Sequence, residues 1–479
     1  MRKITPEQIL ERARRENPWW ERPHRIPEFF SRMKPRPYLS LLAQLVEETD
    51  VRRAVVLMGP RRVGKTVMIH HEIGRLLEHE IQPERICYFS VDHPIYNGLS
   101  LEDFLKSYGE AVDVDFRTDK CYVFFDEIQY LREWERHLKS LVDSYPNLEL
   151  LVSGSAAAAL RLKSTESGTG RFTDFLLPPL TFHEYLFLIG QEELVTIQWK
   201  EEKLHFTTDN IETLNEHFIE YLNYGGYPEV VLSEEIRSDP GRYIKSDIID
   251  KVLLRDLPGL YGIEDIQELN YLFTNLAFNT AGEISLEELS KNSGVTKNTI
   301  KKYIEYLEAA FLVRVVHRID RNAKRFKRAN FFKVYLTNPS IRAALFTPVT
   351  ANDQAIGSLV ETAIFSQWFH AEIPLYYARW PRGEVDMVSL GRDQKAAWVV
   401  EVKWSDRHYD NPEELKALID FCRTHPLNQR IVTTRTTSGT RTVQNVSIEY
   451  IPASLYCFEI GHHVISTKDR NYLINWIFQ

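Results

Sequence analysis

The chain has 479 residues, 43% hydrophobic and 12% aromatic, which is enough for several cores and about three domains. A net charge of −8 argues against nucleic acid as a partner of the chain taken whole, and four scattered cysteines read as buried thiols, neither a disulfide framework nor a zinc site. No apolar run reaches the roughly 18 residues of a membrane span, and the charged amphipathic start MRKITPEQILERARREN is unlike a signal peptide. A cytoplasmic protein without a membrane partner is expected.

Residues 1 to about 50 read as a helical lead-in whose Asn17-Pro18-Trp19-Trp20 packs on the core that follows. From Arg53 the chain reads RAVVLMGPRRVGKT, an apolar strand run into Gly59, Pro60, Arg61, Arg62, Val63, Gly64, Lys65 and Thr66. This spacing is that of a phosphate-binding loop, whose backbone N–H groups wrap the phosphates of a nucleotide such as ATP. Lys65 reaches the β- and γ-phosphates, and the Thr66 hydroxyl serves Mg²⁺. Strand-like runs come next at Arg85–Val91 and Cys121–Gln129. The second, CYVFFDEIQ, ends in two carboxylates, as a buried parallel strand with chemistry at its C-terminal end does. Asp126 is expected to serve the Mg²⁺ and Glu127 to polarise the attacking water. A third run, Leu148–Val152, leads to Ser153, a candidate γ-phosphate sensor, and Arg171 in SGTGRFTDF is a candidate arginine finger.

The net charge hides an asymmetry. Glu184–Glu268 carries nineteen acids against seven bases, and Lys291–Lys333 carries twelve bases against three acids. The basic block coincides with ISLEELSKNSGVTKNTIKKYIEYLEAAFLV, where Ser285 and Glu288 form a capping-box pair, Gly294 breaks the helix and Thr296 caps a second one. The strand-like LVRVVHRI completes the pattern of a winged helix-turn-helix. Lys297, Asn298, Lys301 and Lys302 fall on the outward side of the second helix, and RNAKRFKRANFFK, with Arg325 and Arg328, is a basic wing. DNA contact and packing against protein both fit this face.

The last third places Glu361 in a helical segment, Asp353–Phe369, ahead of two strand runs, PRGEVDMVSL and AAWVVEVKWS. Residues two apart on a strand share a face, which pairs Glu384 with Asp386 and Glu401 with Lys403. Asp386 and Glu401 are candidate oxygen ligands for Mg²⁺ or Mn²⁺, and Lys403 a candidate to orient a water attacking a phosphodiester.

Together GPRRVGKT, FFDEIQ, VSGSAAAA, GRFTDFLLPPLTFHEYL, YLNYGGYPEV, the helix-turn-helix segment, GEVD and EVKW resemble one family along nearly the whole chain. It is that of archaeal and bacterial AAA-type P-loop ATPases whose C-terminal region is a conserved domain of uncharacterised function, a winged helix leading into a PD-(D/E)xK nuclease-like fold. The resemblance implies that Asp126 and Glu127 are a Walker B pair, Ser153 the sensor and Arg171 the arginine of a Gly-Arg motif. It also maps Glu361, Asp386, Glu401 and Lys403 onto the nuclease quartet. One departure is KVYLTNP, where relatives often carry Asp at the position of Asn338. Asn there caps a helix equally well.

The expected architecture is α/β. A parallel-sheet nucleoside-triphosphatase core over 51–180 succeeds the lead-in, then a helical lid region over 181–275 containing Gly225-Gly226. A winged helix over 276–335 precedes a mixed α/β, restriction-endonuclease-like domain over 336–479. The expected function is ATP-driven or ATP-gated interaction with DNA, with a nuclease-like output domain and a homo-oligomer or protein partner left open. A switch that binds DNA or protein without cutting is the alternative. A transcription regulator using the winged helix alone leaves both carboxylate sites without a role.

Overall fold

The computed structural model describes residues 5–22, 25–47, 52–154, 170–200, 203–326, 330–369, 371 and 373–466, so Arg328 and Ser155 lie outside the described residues. Two compact units divide the chain, Met1–Leu177 and Pro178–Gln479.

In the first unit the strands are β1 (Ala54–Met58), β2 (Ile86–Ser90), β3 (Cys121–Asp126), β4 (Leu148–Gly154) and β5 (Phe172–Leu176). All five side chains of β1 and all six of β3 are buried, as strands covered by helices on both faces require. The order is β2-β3-β4-β1-β5, and every pair is parallel. Strand β4 therefore separates β1, which leads into the phosphate loop, from β3, which carries the two carboxylates. The lead-in closes the β2 edge. Its helix Pro6–Glu16 starts on a Thr5–Gln8 capping box. Beyond it, the Asn17 side chain bonds both the Tyr88 carbonyl (2.9 Å) and the Tyr88 N–H (2.6 Å). Trp19 and Trp20 both donate to the Ile86 carbonyl, at 2.9 and 2.8 Å. Backbone groups of an edge strand are thereby satisfied by side chains.

The second unit begins with a helical region, including Phe182–Leu188, Ile211–Tyr224 and Ile266–Phe278, and a small hairpin of β6 (Thr196–Lys200) and β7 (Lys203–Thr207). Next come β8 (Glu283–Ser285), the helices Leu286–Ser293 and Lys297–Ala309, β9 (Val313–Ile319) and β10 (Phe331–Leu336). The helix Ile356–Phe369 precedes β11 (Leu375–Trp380), β12 (Gly383–Leu390) and β13 (Ala396–Glu401). Helix Lys416–Thr424, β14 (Gln429–Thr434), β15 (Gly439–Val443), β16 (Val446–Pro452) and helix Ala453–Ile465 complete it.

The strands from β8 onward form one nine-stranded sheet, β15-β16-β14-β13-β12-β11-β9-β10-β8. The expected division near residue 335 is thus no boundary of the sheet. Strand β11 pairs with β9 in parallel, Tyr376 opposite His317, and fuses the basic module to the C-terminal strands. The helix Ile356–Phe369 is apolar on nearly every side, with Glu361 as its one charged residue, and it is buried accordingly.

Candidate active sites

The phosphate loop leaves β1 at Met58 and closes on the helix Lys65–Glu78. A side chain at Gly59 would meet the Leu177 carbonyl oxygen at 2.2 Å, and Gly64 has a φ of 94°, so both turns require glycine. Lys65 is 6% exposed, and its ammonium donates to the Gly59 and Pro60 carbonyls at 3.0 and 2.8 Å. Buried Arg36 of the lead-in donates to the Val63 carbonyl at 2.9 Å. It braces the loop from a segment in which the sequence marks no site.

Asp126, at the tip of β3, receives three hydroxyls. Thr66 donates to Oδ2 at 2.7 Å, Tyr88 donates to Oδ2 at 3.0 Å, and Ser153 donates to Oδ1. Strand β4 delivers Ser153 because it lies between β1 and β3, and the Glu127 N–H donates to the Ser153 hydroxyl at 3.4 Å. Thr66 and Asp126 are therefore already juxtaposed, and a hydroxyl beside a carboxylate at the end of a phosphate loop is a donor set that fits Mg²⁺. His70 lies between the rings of Phe30 (3.8 Å) and Tyr88 (4.7 Å), and its Nδ1 bonds the Thr66 carbonyl at 2.9 Å. Burial lowers the His70 pKa to about 4, so it is neutral across the working range. Glu127 takes a left-handed backbone, φ 58°, and accepts from the Gln129 amide. Burial raises its carboxyl pKa, the Lys65 ammonium opposes that rise, and Asp126 adds to it.

Arg171 is not brought to this site. It precedes β5 at the edge opposite the phosphate loop, where its carbonyl accepts from the Ala54 N–H and its guanidinium pairs with Asp143 at 3.0 Å. The parallel register runs from Ala54–Phe172 at that edge to Met58–Leu176 at the loop, which excludes an approach to this chain's own phosphates.

The second cluster lies on the nine-stranded sheet. Glu361, Asp386, Glu401 and Lys403 do converge: the Lys403 ammonium lies 2.7 Å from Glu401 and 3.4 Å from Asp386. Asp386 also accepts from the Val402 N–H at 2.9 Å. The sequence reading missed the central cation. Lys333, on β10, is 3% exposed and lies 3.0 Å from Glu361, 2.8 Å from Glu384 and 3.9 Å from Asp386. Tyr335, two residues on and so on the same face, donates to Glu361 at 2.6 Å. Arg379 holds the other oxygen of Glu384 at 3.0 Å. Burial pushes the carboxyls of Glu361 and Glu401 up to about 7, against the ammonium of Lys333 at the first and of Lys403 at the second. For Lys333 burial acts downward, and the carboxylates of Glu361, Asp386 and Glu384 outweigh it.

The expected metal ligands at this cluster do not fit a divalent ion as they stand. Among the described residues no group of three or more His, Cys, Asp or Glu side chains is arranged to hold a metal, and ammonium groups already engage Asp386 and Glu401.

The basic module keeps Lys297, Asn298, Lys301 and Lys302 exposed on the helix Lys297–Ala309, which Thr296 caps by accepting from the Thr299 N–H at 3.2 Å. Its expected wing is partly committed elsewhere. Arg321 pairs with Asp420, and Arg325 stacks over the Tyr376 ring at 4.7 Å. Between helix and wing lies a cleft of about 690 Å³ whose lining includes Lys301, Arg318, Arg325 and Phe326.

Comparison with known proteins bears first on the N-terminal unit. Residues 51–186 match the AAA domain family, and residues 215–353 match a domain of unknown function. That second match ends ahead of β11 and of Asp386 and Glu401. The chain is 26% identical over 351 residues to an uncharacterised protein of Methanocaldococcus jannaschii, covering 70% of this chain and 72% of that one. To an uncharacterised protein of Haemophilus influenzae it is 25% identical over 362 residues, covering 74% and 83%. Among solved structures, a Walker-type ATPase of Pyrococcus abyssi is 15% identical, with 66% of this chain and 99% of that one covered at a TM-score of 0.37. The AAA match and the loop–carboxylate geometry fall on the same residues, so the N-terminal unit carries an AAA-like P-loop domain. Among the described residues no helix is long and apolar enough to cross a membrane.

Proposed function

We propose that this chain is an ATP-hydrolysing switch that engages DNA through the Lys297–Ala309 helix and carries a nuclease-like C-terminal region as its output. The observation that carries the first part is the meeting of Thr66, Ser153 and Tyr88 on the one carboxylate of Asp126. Loop N–H groups and Lys65 would bind the phosphates, with Lys65 leaving the Gly59 and Pro60 carbonyls to do so. Thr66 and Asp126 would hold Mg²⁺, which when bound neutralises phosphate charge. Glu127, its basicity raised by burial, would accept a hydrogen bond from the attacking water and orient it. Ser153 would position Asp126 and Glu127 relative to each other.

The DNA reading is supported by the element order helix, strand, helix, helix, strand, strand over 266–336, by the exposed lysines and by the excess of bases there. The nuclease-like reading is supported by the order helix, three strands, two helices, strand from Ile356 to Thr434, with carboxylates and a lysine on one face. Of its two forms, cutting and binding without cutting, Lys333 favours the second, because its ammonium already neutralises the carboxylates a metal would need. The test is incubation of the full chain with linear, circular and single-stranded DNA, with and without ATP and with Mg²⁺ or Mn²⁺. DNA-stimulated ATP turnover without cleavage is the expected result. Turnover that no DNA form changes, together with absence of DNA binding, would defeat the DNA reading.

A further inference from the structure

Strand β10 sends one cation into a set of acids drawn from two other elements. Glu361 comes from a helix, and Glu384 and Asp386 come from β12, while the Tyr377 ring of β11 lies 5.4 Å from the Lys333 ammonium. An ammonium has three N–H donors, and three carboxylates surround this one. Two of the carboxylates are also held through their other oxygen, Glu384 by Arg379 and Asp386 by Lys403 and the Val402 N–H, while Tyr335 donates to the same Glu361 oxygen that Lys333 engages. Acids so fixed are arranged around a positive charge, and here that charge is part of the chain.

We propose that Lys333 is the resident cation of this cluster: its ammonium fills the place a divalent metal would take, and its removal creates a divalent-cation site formed by Glu361, Glu384 and Asp386. A metal needs oxygens at about 2.0–2.6 Å around a centre of its own, and that centre cannot coexist with an ammonium 2.8–3.0 Å from the same oxygens. Nor can the ammonium simply leave, since Lys333 is buried. This inference deepens the reading in which the C-terminal region binds without cutting, and rests on that reading for its functional consequence.

The experiment is Mn²⁺ binding to the full chain without nucleotide, followed by electron paramagnetic resonance and calorimetry. Wild type is expected to bind no Mn²⁺ that depends on Asp386. Lys333→Met is expected to gain one Mn²⁺ per chain, about tenfold tighter than any wild-type binding or better, and to lose it again when Asp386→Asn is added. Asp386-dependent binding in wild type overturns the proposal, and so does a folded Lys333→Met that gains none. Should Lys333→Met not fold, Lys333→Gln, which keeps all three carboxylates and a polar side chain among them, replaces it, and absence of an added Mn²⁺ site in that variant overturns the proposal equally. DNA cleavage is scored separately. A Lys333→Met protein that binds Mn²⁺ without cutting DNA upholds the cation assignment, whereas Asp386-dependent cleavage by wild type defeats both it and the non-cutting reading.

Discussion

Asp126 gathers more partners than any sequence motif could announce, and their removal should separate by function. Lys65→Ala should weaken ATP binding by about a hundredfold, since it removes a charge-assisted hydrogen bond to phosphate. Glu127→Gln should bind ATP as wild type does and hydrolyse it about 10²–10³ times more slowly, because the amide keeps the shape and loses the base. Equilibrium binding and single-turnover hydrolysis measured on both variants check the split; equal hydrolysis by Glu127→Gln and wild type would remove Glu127 from its role. Tyr88→Phe tests a hydrogen bond that no motif marks. Asp126 keeps Thr66 and Ser153, so the loss of turnover should stay within about tenfold, with a larger effect on the Mg²⁺ dependence than on ATP affinity. The phosphate loop and the two carboxylates were legible because their spacing is local. Tyr88, Arg36 and Lys333 were not, because each acts on atoms brought near by sheet formation, and in the sequence Lys333 is one more base in a basic block.

At the level of elements, hydrophobic runs located β1 to β4 of the first sheet and β9, β12 and β13 of the second, and the capping residues Ser285 and Thr296 located both helices of the basic module. Side-chain partners of the wing were beyond such reading: Arg321 and Arg325 look like phosphate ligands in sequence, yet Asp420 and Tyr376 hold them. The element whose lysines stay exposed, and through which the proposed DNA contact would run, is the Lys297–Ala309 helix. Charge reversal at Lys301 and Lys302, both exposed, should lower affinity for every DNA sequence alike. The slope of log affinity against log salt should flatten by about 0.9 for each phosphate the helix ceases to neutralise. Filter binding or anisotropy across a salt series reads both quantities. Unchanged affinity and slope in a folded variant would make the module a joint between protein segments.

For the whole molecule, the continuous sheet explains why domain boundaries drawn from composition differ from the two units observed: strand pairing between β9 and β11 leaves no linker signal in the sequence. Asp386→Asn lies in the unit that does not hold the phosphate loop, and ATP turnover without DNA should remain within about twofold of wild type, each unit having its own core. Stability of the whole chain should carry a pH signature from Glu459, a mostly buried carboxylate on the helix Ala453–Ile465. Burial, then the nearby charge of Glu449, push its pKa up to about 8. His463, whose Nε2 lies 3.9 Å from Glu459, gives no positive charge above about pH 5 because burial lowers its own pKa to about 4. A carboxyl whose pKa is higher folded than unfolded binds its proton more tightly in the folded state. Its stabilisation is complete below the unfolded value of about 4.5 and is lost as pH rises through 8. Glu459→Gln keeps the shape of the protonated acid and cannot ionise. Its melting temperature should match wild type near pH 5 and exceed it by on the order of 5 °C near pH 8.5. Thermal melts at the two pH values check this, and a gap that fails to widen with pH would mean that Glu459 ionises in the folded chain as readily as in the unfolded one.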